Sequence, residues 1–131
     1  MRDALAFAAR FGFHPAYAIY APGFTRAGAV LARAMGAKTP IYRSVFSDTF
    51  AYGFPPKPYA LAAHLALLQD EAPGAPWMIA GLGVDIGPLI SETVRRGGHI
   101  RVGLEDAPFG TPGSNRTQVE EAGTLLRALG G

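Results

Sequence analysis

WMIAGLGVDIGPLISETVRRGGHIRVGLED, residues 77–106, decides the fold. Trp77-Met78-Ile79-Ala80 is a short apolar run bounded by glycine, the pattern of a buried strand. Gly81-Leu82-Gly83 is its exit. Leu89, Ile90 and Val94 then recur at helical spacing until Gly97-Gly98 stops them, and Ile100 to Leu104 is apolar and extended again. Strand, helix and strand in succession make a parallel unit, because two parallel strands need a long crossover between them.

Working outward, the same unit repeats. Tyr17-Ala18-Ile19-Tyr20 reads as a strand, Pro22-Gly23 as its exit turn, and Thr25 as the N-cap of a helix carrying Val30, Leu31 and Met35 up to Gly36. Ile41 to Phe46 is the next strand, followed by a loop from Ser47 to Pro56 that is long, aromatic and stiffened by proline. A helix from about Pro58 carries Leu61, Leu65 and Leu68 on one stripe and ends before Pro73-Gly74. Ala4, Leu5, Phe7, Ala8 and Phe11 fit a helix ahead of all these. At the other end Thr117 and Glu120 have capping-box spacing for a last helix, with Val119, Ala122, Leu126 and Leu129 as its inner face. An incoming helix and about four strand-then-helix units with parallel strands fit either a small open doubly wound sheet or half of a (β/α)8 barrel. Periodicity does not choose between them. No linker divides the chain, so residues 1–131 read as a single unit.

Composition narrows the function classes. Of 131 residues, 49% are hydrophobic and 17% charged, which excludes a disordered or solvating segment. So few charges leave apolar surface for a partner to cover. The net charge of +2 arises from 12 basic and 10 acidic residues scattered along the chain, with no basic patch for nucleic acid. The absence of cysteine excludes disulfides and thiolate metal sites. Met1 to Phe11 contains no run apolar enough for a signal peptide or membrane span, so the expected location is the cytoplasm.

The candidate chemistry sits on the fourth strand. A period of two puts Ile100, Val102 and Leu104 on one face and Arg101, Gly103 and Glu105 on the other. Extended chain would hold Arg101 and Glu105 about 13 Å apart, at about 3.3 Å per residue. The side-chain-free Gly103 lets the guanidinium lie forward toward Glu105 and Asp106 at the strand's carboxyl end, where barrel enzymes keep their sites. Unpaired charges on an interior face are costly, so these residues bind one another or a ligand.

The run Gly97-Gly98-His99-Ile100-Arg101-Val102-Gly103-Leu104-Glu105-Asp106, with Trp77 to Gly83 before it, resembles the β-keto acid cleavage enzymes. The resemblance covers the chain as the second half of their (β/α)8 barrel, strands five to eight. It implies a zinc-dependent Claisen-type exchange in which a β-keto acid and acetyl-CoA give acetoacetate and a new acyl-CoA. By the same resemblance Glu105 is a zinc ligand, Arg101 binds the keto acid, and Asp106 transfers a proton. Zinc would polarise the ketone, a carboxylate move the α-proton and a guanidinium hold the substrate carboxylate.

The family's early-strand His-x-His pair has no counterpart here. A catalytic zinc typically takes three protein ligands. His14 precedes a strand, His64 falls in a helix, and His99 lies six residues, about 20 Å of extended chain, before Glu105. Structural roles are expected for all three, and catalysis would need the barrel completed by an N-terminal half or a second copy. The residue after Asp106 is Ala107, where many relatives have asparagine, and Tyr20 to Phe24 offers no acid or histidine. A non-catalytic α/β module binding acyl-CoA or phosphate is the alternative, and a flavodoxin-like nucleotide binder a third. Gly81 and Gly83, between strand and helix, are candidates for the phosphates of CoA. The third glycine of a dinucleotide fingerprint is missing, since Ile86 stands there. Asp85 is expected to cap the following helix, and Asp48 and Arg43 to make polar contacts around the aromatic loop, itself a lid, a wall of an acyl-CoA groove or a subunit contact.

Overall fold

The computed structural model describes residues 2–130. In chain order the elements are α1 (Arg2–Phe11), β1 (Ala16–Ile19), α2 (Gly23–Ala34), β2 (Ile41–Phe46), α3 (Pro58–Glu71), β3 (Trp77–Gly81), α4 (Gly87–Arg95), β4 (His99–Ile100) and α5 (Asn115–Ala128). The four strands pair in parallel in the order β1-β2-β3-β4.

That unbroken order separates the two architectures. A doubly wound sheet reverses its strand order at a switch point, which puts helices on both faces. Consecutive right-handed crossovers put them on one. The core follows the second pattern. Ile19 and Tyr42 pack with Leu68 of α3, and Phe46 and Ile79 with Leu61 of α3 and Leu89 of α4. The Tyr17 hydroxyl donates to the Gly28 carbonyl of α2 at 3.2 Å, on the same side. The opposite face carries the register row Ala18, Arg43, Met78 and His99, none of them in the core clusters. This α/β fold is consistent with part of a (β/α)8 barrel whose sheet is not closed, and the flavodoxin-like reading is overturned by the strand order.

Local expectations fare unevenly. Thr25 does not cap α2: the helix begins at Gly23, with Pro22 at the N-cap, and Thr25 is buried within the first turn. Thr117 does not cap α5 either. Ser114 does, its hydroxyl accepting the Thr117 amide at 3.2 Å, so Thr117 sits at the third helical position. Asp85 lies one residue before the N-cap of α4, Ile86, and accepts the Gly87 amide at 2.7 Å. The expected inner face of α5 is largely uncovered, with Val119 57% and Leu129 40% exposed. Its small sheet neighbour explains this, because β4 has only two residues to pack against. No helix is long and apolar enough to cross a membrane among the described residues.

Candidate functional site

The carboxyl end of β4 is where expectation and structure part most. The strand ends at Ile100, and the ladder runs one bond further, from the Arg101 amide to the Ile79 carbonyl at 2.9 Å. Residues 103–107 then turn, with the amides of Asp106 and Ala107 both donating to the Gly103 carbonyl at 3.0 Å. Asn115, the first residue of α5, clamps this turn by accepting the Leu104 amide through Oδ1 at 2.8 Å. The extended run through Leu104 is therefore corrected. Leu104 leaves the apolar face and is 41% exposed, while Val102 stays packed against the core.

The turn does what an extended strand cannot. It brings Glu105 back onto Arg101 as an ion pair and sets Asp106 Oδ1 3.3 Å from Arg101 Nη1. A separation of about 13 Å becomes contact. The two acids nevertheless sit differently: the Glu105 side chain is 75% exposed, the Asp106 side chain 8%. Ion pairing in water is weak, so the Glu105 contact is readily exchanged for another carboxylate. Burial pushes the Asp106 carboxyl above the usual range; Arg101 opposes this, Glu105 adds to it, and Arg43 opposes it too.

Gly81 makes room for the turn. A Cβ there would lie 2.7 Å from the Asp106 carbonyl oxygen and 2.7 Å from that of Val84. The position faces two acceptors, which disfavour a phosphate at Gly81. Gly83, exposed with φ 70°, is the freer of the two candidates. Beside the turn, between α4 and α5, opens a cleft of about 450 Å³ with Arg101 and Asp106 in its wall and Ile86, Ile90, Val102 and Leu125 among its apolar lining. Its size suits a small metabolite.

The other predicted residues lie apart from this site. His14 Nδ1 is 2.9 Å from the Thr39 carbonyl oxygen, ahead of β1. His64 is buried edge-on against Phe46 and Phe54, and His99 is exposed on β4. Among the described residues no three His, Cys, Asp or Glu side chains gather as a metal cage. The donors among the described residues do not fit a zinc centre by themselves, since three protein ligands are needed and no such group forms. The aromatic loop closes on itself: Phe54 bridges to Phe46, and the Ser47 amide donates to the Phe54 carbonyl at 3.0 Å. Ser47 Oγ ties it to the next strand exit by donating to the Leu82 carbonyl at 3.0 Å. The roles of Asn115 and Ser47 are not among those the sequence predicts. The only written signal for Ser47 was its place at the head of a Ser-Asp-Thr turn, and Asn115 had none.

Parallel strands in unbroken order, with an arginine and two acids clustered at their carboxyl end, place this chain in the class of α/β proteins built like part of a (β/α)8 barrel. The family model described as beta-keto acid cleavage enzyme matches residues 1–131, and the chain belongs to that family. No curated protein matches it.

Proposed function

We propose that this chain supplies the carboxylate-anchoring and proton-handling side of a β-keto acid cleavage site. The observation that carries the reading is the Arg101 guanidinium shared between an exposed Glu105 and a buried Asp106. Arg101 exchanges its contact with Glu105 for the carboxylate of the keto acid, which a guanidinium holds bidentately. Asp106 stays at the guanidinium's other edge, where it takes the proton from the carbon next to the ketone. Water is scarce there because Asp106 is 6% exposed, so the carboxylate reaches a carbon acid rather than solvent.

The finer assignment follows the family resemblance. A β-keto acid and acetyl-CoA exchange acyl groups, giving acetoacetate and a new acyl-CoA, and Gly83, with Gly81 behind it, lies toward the CoA phosphates. Zinc would find one ligand here, Glu105, and the rest of its cage in an N-terminal barrel half or another copy of the chain. The second reading is a module that binds acyl-CoA or phosphate without catalysis; among the described residues no three-ligand cluster forms, so this chain alone does not separate the two. We place the protein in the cytoplasm, acting on small molecules.

The two readings separate in one experiment. The chain, alone and mixed with a barrel half carrying His-x-His, is assayed for acetoacetate from acetyl-CoA and a β-keto acid, with metal counted per assembly. Zinc at one per closed barrel and turnover lost in Asp106→Asn support the enzyme. Tight acyl-CoA binding with no turnover in either preparation supports the module.

A further inference from the structure

β2 carries a second guanidinium that the reaction above leaves unused. Arg43 stands on the face away from the core clusters, in the row Ala18, Arg43, Met78 and His99; Arg101, one residue past the end of β4, stays in the ladder through its amide to Ile79, so alternation from His99 turns it to the same side. Two strand spacings and a two-residue offset put their backbones roughly 12 Å apart. Two long side chains converge easily across that gap.

Arg43 is half-buried, and its Nε is enclosed without a hydrogen-bond partner. Among the described residues no carboxylate forms an ion pair with it. Its field nevertheless reaches Asp106. The residues around it on this face are Ala18, Val45, Met78 and Ala80, which offer no anion, and the strand exit beside it, Tyr20-Ala21-Pro22-Gly23, has no acid. Holding a cation off from water with an unpaired N–H is unfavourable unless an anion arrives to meet it.

We infer that Arg43 is a second anion-binding residue of the Arg101 site, and that the preferred β-keto acid bears a second carboxylate at its acyl end. This rests on the reading that Arg101 anchors the acid's own carboxylate. A diacid then spans the two guanidinium groups, one carboxylate on each. A keto acid with a cationic end is repelled by Arg43.

Calorimetric titration of the full chain with 3-oxoadipate and with 3-oxohexanoate tests this, since the two share chain length and ketone and differ in the terminal carboxylate. The diacid binds the native chain at least tenfold more tightly. Arg43→Gln collapses that ratio toward one, Arg43→Lys restores part of it, and Arg101→Gln weakens both ligands. A ratio near one in the native chain overturns the inference, as does a ratio unchanged in a folded Arg43→Gln. If Arg43→Gln does not fold, the native ratio and Arg43→Lys still decide. Failure of the underlying reading looks different: Arg101→Gln then leaves both affinities untouched.

Discussion

Arg101 links three charges, so its replacement acts on all of them. Arg101→Gln removes the charge-assisted contact to substrate, for which about 2 to 3 kcal/mol is reasonable, and leaves Asp106 buried without its cation. The expected result is a loss of keto acid affinity of about 30- to 150-fold, measured by titration with acetoacetate, while Glu105→Gln, at an exposed position, changes affinity far less. Gly81 is tested by adding one carbon. Gly81→Ala forces the Asp106 and Val84 carbonyl oxygens away from a Cβ 2.7 Å distant, which costs about 1 to 3 kcal/mol in thermal unfolding and displaces the turn. His64 gives a pH signature. Burial lowers its pKa from 6.5 to about 4, and both ring nitrogens lack partners. Below pH 6.5 the unfolded chain takes up a proton that the native chain refuses, so stability falls as pH drops through 6.5 and levels near 4, by about 3 kcal/mol in all. Urea unfolding at pH 7.5 and 4.5 should show that loss, and His64→Leu should abolish it without weakening the protein at pH 7.5.

Elements were legible wherever a run of apolar residues was long enough to carry its own period. β2 and β3 fall where Ile41 to Phe46 and Trp77 to Ala80 predict, because each is an inner strand paired on both edges and is mostly apolar. β4 was overread. Ile100, Val102 and Leu104 alternate with polar or small residues, a strand pattern in every local respect, yet the chain turns at Gly103 because Asn115, twelve residues on, holds the Leu104 amide. The two partners lie eleven residues apart, farther than a strand's own period reaches. For the same reason the meeting of Arg101 with Asp106 was read correctly as to residues and wrongly as to path. The helix starts differ in another way: Thr25 and Thr117 have capping chemistry, but α2 begins behind Pro22, three residues earlier, with no side-chain cap, and Ser114, three before Thr117, caps α5. Asn115 is therefore the testable hinge of the site. Asn115→Ala should lower unfolding stability by only about 1 kcal/mol, since its bond is exposed, but loosen the turn and weaken keto acid binding several-fold. Asn115→Asp, which keeps the acceptor, should restore the binding; equal losses in both variants would show that the clamp is not what holds Arg101 and Asp106 together.

At the scale of the whole molecule, the described sheet packs α2, α3 and α4 on one face and ends in two edge strands, β1 and β4. Unpaired edge groups and an open face seek other strands. The helices add to this: Phe7, Phe11 and Phe13 form an exposed aromatic cluster, each more than half exposed, and Val119 and Leu129 of α5 look out beside β4. With charged residues at 17% of the sequence, little of that surface is protected by repulsion. The expected behaviour is association that closes the sheet, with a second copy or with strands of the barrel's other half. Light scattering after size exclusion should give a mass above 13.8 kDa at micromolar concentration, and dye that fluoresces on apolar surface should bind the dilute protein and be released as it associates. Closure also predicts function, because the strand ends of a complete barrel surround Arg101 from the side that is open here. Keto acid affinity should therefore rise with protein concentration in step with the mass. A monomer that binds no dye and whose affinity is independent of concentration would mean that the open face needs no partner, and that the site works with the four strands it has.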